Sequence, residues 1–447
     1  MNDSAQPVQH ARPDRRSNRA ETQVTLGRML EFFIPLGISA SLVTISHVII
    51  NSTLARAEHQ ELVIASYAIA MSLLTITERP AVLLRQACSA LVRDKTSFKA
   101  MAAVANYIFL SILLLGLLIS YTRLGHWIFL YIFGVDPAML SSIIQVYRVL
   151  MFVSIFSGIR CLYQGVIIIN LHTKWLTLGM LIRLFCMYML SLYFIQTDRV
   201  TSGQVGAVIF LTGMMIEATV SFLEGRHLVR RLPDKLPDHP VENKKHVFGF
   251  YRPMLYSSFI AVVIGPAINA MLGKTANIEL AIASFAIASS ITQLVSSFFS
   301  YVHQMVLNFY KIDPAAVNRF VRCVAFVPAL LLGVIGYTPL GPWFMEHVMG
   351  ANERLMQASL DALRVFMLMA LVFPWLDFAN GMIMMRGQTK AMVWSQGANM
   401  VLTVTLLTIL VAVAPGWNGM IGALAQSAGL AAELGVVFYV LRKTRPA

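Results

Sequence analysis

Charge is what this chain has least of. Only 13% of its residues are Asp, Glu, Lys or Arg, where soluble domains carry about a quarter. Hydrophobic residues make up 57%, and the mean hydropathy is +0.67. A soluble core cannot absorb that much apolar surface; a bilayer can. Cysteine is scarce as well. Cys88, Cys161, Cys186 and Cys323 lie in or beside apolar segments, without metal-ligand spacing or the pattern of a disulfide framework. The sequence has no phosphate-binding glycine loop, no His/Cys cluster and no nucleophile elbow. It is therefore not expected to be an enzyme or to need a cofactor or metal, and any transport would draw on a proton or sodium gradient. The first 29 residues lack an early apolar run and a small-residue cleavage site, and carry Arg12, Arg15, Arg16 and Arg19. That predicts a cytoplasmic tail over 1–29 and an uncleaved first span.

What the chain does contain is a series of apolar stretches, each near the roughly 20 residues a spanning helix needs. Twelve are predicted, near 30–54, 61–91, 99–121, 140–168, 174–196, 203–226, 249–273, 279–309, 319–339, 357–384, 390–412 and 417–441. Two shorter pieces, "HWIFLYIFGV" (126–135) and "PWFMEHVMG" (342–350), suit an interface, where Trp and Tyr rings are favoured. The net charge of +13 does not imply nucleic acid, because of where the charges fall. With the N-terminus inside, inner segments hold 24 of the 35 Lys and Arg, and outer loops hold five: Arg56, Arg123, Arg199, Lys274 and Arg354. That bias predicts a multi-pass cell-membrane protein with both termini cytoplasmic, its basic loops facing anionic headgroups.

The sequence also repeats itself. "ELVIASYAIAMS" (61–72) returns as "ELAIASFAIASS" (279–290), identical at nine of twelve positions. The same offset of 218 brings Pro35 onto Pro253, Asn51 onto Asn269 and Glu61 onto Glu279. At an offset of 216, "YTRLGHW" (121–127) falls on "YTPLGPW" (337–343), Gly134 on Gly350, Arg148 on Arg364, Gly165 on Gly381 and "TK" (173–174) on "TK" (389–390). This divides the chain into an N-lobe (30–226), an inter-lobe loop (227–248), a C-lobe (249–441) and a short tail (442–447). Six crossings is an even number, so the halves are parallel repeats, an arrangement that commonly rocks around a central site.

Charges within the spans cost free energy unless they face a cavity or a partner. Six Arg (79, 85, 148, 160, 183, 364) stand against Glu78, Glu217, Asp361, Asp377 and Glu433. Several have simple structural readings. Asp361 and Arg364 are three apart and can pair on one helix face; Arg148, the repeat equivalent of Arg364, suits the same scaffold role. Arg85 can snorkel. Arg183 and Glu217 fall on neighbouring spans and can neutralise each other. Arg160 aligns with Leu376, so neither Arg160 nor Asp377 is repeated, which suits a cavity better than a scaffold. Glu78-Arg79-Pro80 interrupts the middle of a long span, where Pro kinks a helix. The reading that follows has Arg79, Arg160 and Arg183 attracting an anionic solute, and Glu78, Glu217 and Asp377 serving a coupling ion. Asn51 and Asn269 would cap or brace equivalent helix ends.

Twelve spans in parallel sixes fit two superfamilies. The major facilitator pattern wants a Gly- and Asp-containing, Arg-rich loop between the second and third spans, and "LVRDKTSFK" (91–99) does not match it. "FFIPLGIS" (32–39), Asn51, "IASYAIAMSL" (64–73), Pro253, Asn269 and "RK" (442–443) instead resemble the multidrug, oligosaccharide-lipid and polysaccharide (MOP) exporters. The closer likeness is to MATE-like members and the progressive ankylosis family, over about 27–443. The resemblance implies a V-shaped, all-α fold of two six-helix lobes, alternating access and export of small anions; animal members are linked to release of ATP, citrate and pyrophosphate. The Glu78-Arg79 pair departs from the family pattern. A flippase for a lipid-linked anionic precursor, with a groove open to lipid, stays an alternative. So do a drug or cation antiporter and, in a different class, a non-transporting scaffold with every buried charge paired inside one lobe.

Overall fold

The structure, a computed structural model, describes residues 24–54, 56–133, 135, 137–237, 239–347 and 352–443. Most of the predicted N-terminal tail, Gly134, Gly350 and the last four residues lie outside the described residues, as do the side chains of Glu61 and Glu279. The described residues fold into helices: α1 (Leu26–Leu54), α2 (Gln60–Thr77), α3 (Arg79–Leu91), α4 (Lys95–Tyr121), α5 (Arg123–Trp127), α6 (Pro137–Leu150), α7 (Val153–Ile169), α8 (Lys174–Gln196) and α9 (Gly203–Arg231) form the N-lobe. The C-lobe comprises α10 (Lys244–Leu272), α11 (Ile278–Phe298), α12 (Val302–Phe309), α13 (Pro314–Val324), α14 (Val327–Tyr337), α15 (Leu340–His347), α16 (Glu353–Met385), α17 (Lys390–Val413) and α18 (Gly419–Lys443). Among the described residues, eleven spans are long and apolar enough to cross a bilayer. The pair α2–α3, bent by 41° just before Pro80, makes a twelfth. In the remaining composite spans α6–α7, α11–α12 and α13–α14, short breaks leave one crossing each.

Side chains fix where these helices begin. Asp94 caps α4 in a capping box, accepting from Ser97 N (2.7 Å) while Ser97 Oγ accepts from Asp94 N (3.2 Å). Asp313 caps α13 by accepting from Ala316 N (2.9 Å), with Pro314 in the first turn. Such caps satisfy amide groups that the helix itself leaves open. The short pieces 126–135 and 342–350 begin as turns rather than spans. The first runs through α5 into a π-helical turn, Ile128–Ile132, and the second forms α15; Trp127, Tyr131 and Trp343 are exposed on them.

The repeat is visible in the bonds. Thr173 donates to Phe32 O (3.0 Å), and its counterpart Thr389 donates to Phe250 O (2.9 Å). Arg148 donates to Ser120 O and lies over Tyr121; Arg364 donates to Gly336 O and lies over Tyr337. In the shared "YT-x-LG-x-W" phrase the glycine is obligatory: a Cβ at Gly125 would collide with Ile119 O, and one at Gly341 with Ile335 O.

Among the described residues, the apolar core that draws on both lobes lies at one end. At the end carrying the loops 92–94, 232–243 and 386–389, one apolar core draws on both lobes, with Phe32 and Phe33 of α1 packed against Phe298, Phe309 and Phe320. At the far end each lobe has its own core. The inter-lobe loop is pinned to the N-lobe: Leu236 N donates to Asp94 Oδ2 (2.9 Å), Lys95 N to Pro233 O (2.9 Å) and Lys95 Nζ to Asp234 (2.9 Å). Burial works against the Asp94 charge, but the donors Leu236 N and Ser97 N outweigh it and hold its carboxyl below the usual range.

Candidate functional site: the buried polar groups of the two lobes

The N-lobe places its charges around one carboxylate. Glu217 on α9 is buried; Arg160 from α7 donates to Oε1 (3.1 Å) and Oε2 (3.2 Å), and Arg183 from α8 to Oε2 (2.8 Å). Gln164, one turn beyond Arg160, adds a bond to Oε1 (3.0 Å) and accepts from Arg85 of α3 (3.3 Å). Arg183 also lies over Phe210, which stacks on His47 of α1. Two guanidinium groups therefore share one carboxylate. Nε of Arg160, and Nε and Nη2 of Arg183, are buried without a hydrogen-bond partner among the described residues. The cluster keeps an excess of positive charge and of unused donors, at a depth where both are costly.

Glu78 and Arg79 sit at the α2–α3 bend, half-buried, and Nε of Arg79 has no hydrogen-bond partner among the described residues. Arg85 lies over the ring of Tyr301 from the C-lobe, 5.0 Å away. Asp377, on α16, does not join this group. It accepts from the backbone N–H of His303 (2.8 Å) and from its Nδ1 (3.0 Å), while Nε2 of His303 meets Gln304, which donates across the lobe boundary to Ser89 (3.0 Å). Asp361 and Arg364 pair at 2.7 Å. Pro35 and Pro253 lie inside α1 and α10, where the carbonyl of Pro35 accepts from Thr177 (2.7 Å).

Asn269 lines a cavity of about 500 Å³ in the C-lobe, together with Thr292, Gln293, Ser296, Phe366 and Gln426. It is walled by α10, α11, α16 and α18, and its polar lining is made of amides and hydroxyls without charge. Oε1 of Gln426 and Oγ of Ser296 are buried there without a partner among the described residues.

One carboxyl escaped the candidate set drawn from the sequence. At the offset of 216, Glu217 falls on Glu433, Arg183 on Asn399, Met180 on Gln396 and Gln164 on Asn380. Glu433 is buried on α18 and accepts from Asn399 Nδ2 (2.7 Å). The glycine one turn before each acid faces the equivalent residues: a Cβ at Gly213 would collide with Met187 and crowd Arg183, and one at Gly429 would collide with Thr403 and Asn399. The two lobes thus bury a carboxyl at one equivalent position, with basic partners in the N-lobe and amides in the C-lobe. The offset itself carried that signal.

The fold is shared with known transporters. A MOP superfamily transporter from Pyrococcus furiosus, whose reversed binding-pocket polarity suggests a different function, superposes at a TM-score of 0.71 with 17% identity, over 93% of this chain and 95% of that one. An outward-facing multidrug resistance MATE family transporter of the MOP superfamily gives 0.71 with 16% identity, over 93% and 95%. A eukaryotic MATE transporter gives 0.71 with 12% identity, over 94% and 96%. No family model matches the chain, and no curated protein matches it significantly. The class is therefore defined by fold: a multi-pass, all-α membrane protein built as two six-helix repeats, with the architecture of MATE transporters of the MOP superfamily.

Proposed function

We propose that the protein is a secondary transporter that exports a small anionic solute by alternating access. The observation that carries this reading is the lobe arrangement. Two equivalent six-helix bodies share a core at one end and keep separate cores at the other, the form expected of one state of a rocking pair. Taking the Arg- and Lys-rich loop end as cytoplasmic, this state is open outward. The excess positive charge of the N-lobe, with unused donors on Arg79, Arg160 and Arg183, supports an anion over a lipophilic cation, which would want uncompensated acids on its path. Glu217, held by two Arg, acts in this reading as a fixed counter-charge, and Asp377 as the partner of His303.

A second reading is favoured by one feature. An apolar groove of about 570 Å³ runs between α2–α4 and α10, from Leu115 and Phe259 to Lys244 and Lys245 at the loop end. A lipid-linked anionic precursor would fit it, chain in the groove and headgroup at the lysines.

Uptake into proteoliposomes separates these. Labelled citrate, ATP, a lipophilic cation and a short-chain lipid phosphate are offered to wild type and Arg79→Ala. Anion uptake reduced at least tenfold in the variant supports the solute exporter. Scrambling of the lipid phosphate alone supports the second reading. Cation uptake alone overturns the anionic assignment, and no movement of any probe favours a scaffold.

A further inference from the structure

The acid of the N-lobe is locked, and its repeat in the C-lobe is not. Glu433 forms no ion pair among the described residues. Its neighbours are Asn399, Thr403 and Gln396 of α17, all uncharged; Thr403 Oγ1 donates to Asn399 Oδ1 (3.1 Å), which commits the Asn399 nitrogen to Glu433. Gln396, its nitrogen turned toward the acid, donates to Oε1 (2.9 Å) and Oε2 (3.2 Å).

The remaining elements packed on α18 bring no counter-charge to Glu433. On α16, Asp377 is engaged by His303 of α12 and Arg364 pairs with Asp361; Arg386, just past α16, binds Leu441 O at the loop end. α10 meets α18 near Ile268 and Gly422, and its Lys244, Lys245, His246 and Arg252 form no ion pair with Glu433 among the described residues. The only ionisable residue in α11 is Glu279, at the helix start. α18 itself adds only Tyr439 and, in its last turn, Arg442 and Lys443.

We propose that Glu433 is a proton-binding site of the C-lobe, exchanging its proton with solvent in the cavity at Gln426. An ionised carboxylate buried without a counter-charge is expensive. A proton removes that cost by forming one O–H bond, with the proton coming from and returning to cavity water. Gln426 stands seven residues before Glu433 on α18, roughly 10 Å along the helix at ~1.5 Å per residue and on nearly the same face. Sodium is disfavoured because hard cations take oxygen ligands, and Asn399 turns its nitrogen to the site. The N-lobe supplies the contrast: where Arg183 stands in place of Asn399, the same acid is held as a fixed anion. Its use in coupling rests on the transporter reading above; proton binding does not.

The test is infrared difference spectroscopy of the full-length protein in nanodiscs, titrated with pH and then with NaCl. A protonated-carboxyl C=O band should disappear as pH rises, be absent in Glu433→Gln and persist in Asp377→Asn. Asn399→Arg, which gives the C-lobe the N-lobe solution, should also abolish it while Glu433 remains. A band that survives Glu433→Gln, or a site that answers to sodium and not to pH, overturns the proposal. So does the lack of any titrating band in wild type. Because no transport is measured, failure here is distinct from failure of the transporter reading. If both hold, Glu433→Gln should make solute flux independent of the pH gradient while leaving thermal stability intact.

Discussion

At the scale of single residues, the two buried acids make opposite predictions. Removing the charge of Glu217 leaves Arg160 and Arg183 facing each other without compensation. Breaking a buried pair from one side typically costs about 3–5 kcal/mol, so Glu217→Gln should lower the thermal midpoint strongly in detergent. Glu433→Gln replaces a carboxyl that has no counter-charge by an amide of the same shape and should leave the midpoint nearly unchanged. Equal losses in the two variants would contradict the asymmetry of the repeat. Part of this was legible beforehand. Arg183 and Glu217 lie on consecutive spans, and their pairing follows from proximity. That Arg160 converges on the same carboxylate, 57 residues away in sequence, and that Asp377 turns to His303, depend on how each helix is rotated about its axis. A span that is apolar around most of its circumference does not encode that rotation.

At the scale of elements, two contacts decide how the pieces sit. Gly37 of α1 lies against Phe298 at the end of α11, and a Cβ there would come within 2.8 Å of both the ring and the carbonyl of Phe298. Gly37→Ala should therefore disfavour the state seen here, read as a shift in spin-label distances across the loop end; unchanged distances would mean the contact can relax. The loop pinned by Asp94 gives a pH prediction. Because the folded carboxyl is held below its ordinary range, the stabilisation is fully present above the ordinary carboxylate pKa. It is lost as pH falls through the lowered folded value. The protection of the Leu236 amide against hydrogen exchange, taken relative to its intrinsic rate at each pH, should fall on acidification in the wild type. In Asp94→Ala that protection should be low at every pH, with a further loss of about 0.5–2 kcal/mol from the missing cap.

At the scale of the molecule, closure of the loop end rests on the shared aromatic core and a few bonds that cross between lobes: Tyr251 to Pro80 O (2.6 Å), Gln304 to Ser89 (3.0 Å) and the stacking of Arg85 on Tyr301. Each neutral bond contributes about 0.5–1.5 kcal/mol net. The double variant Tyr251→Phe with Gln304→Ala should shift the balance between lobe arrangements by roughly tenfold, since ~1.4 kcal/mol is a factor of ten. Cross-links that tie the far ends of the lobes together should abolish transport; flux surviving complete cross-linking would rule out rocking.

Amino-acid order alone determined the number of spans, their limits to within a few residues and the two-fold repeat. Each crossing must satisfy its own backbone hydrogen bonds inside hydrocarbon, so a span is a local property of about 20 apolar residues, and a repeated phrase is read directly. Tertiary structure decided which end of the lobes closes, which buried charges find partners and which acid is left with amides alone. Those outcomes join residues far apart in the chain through the rotation and tilt of helices that are apolar on nearly every face. Only packing against neighbouring helices fixes that geometry.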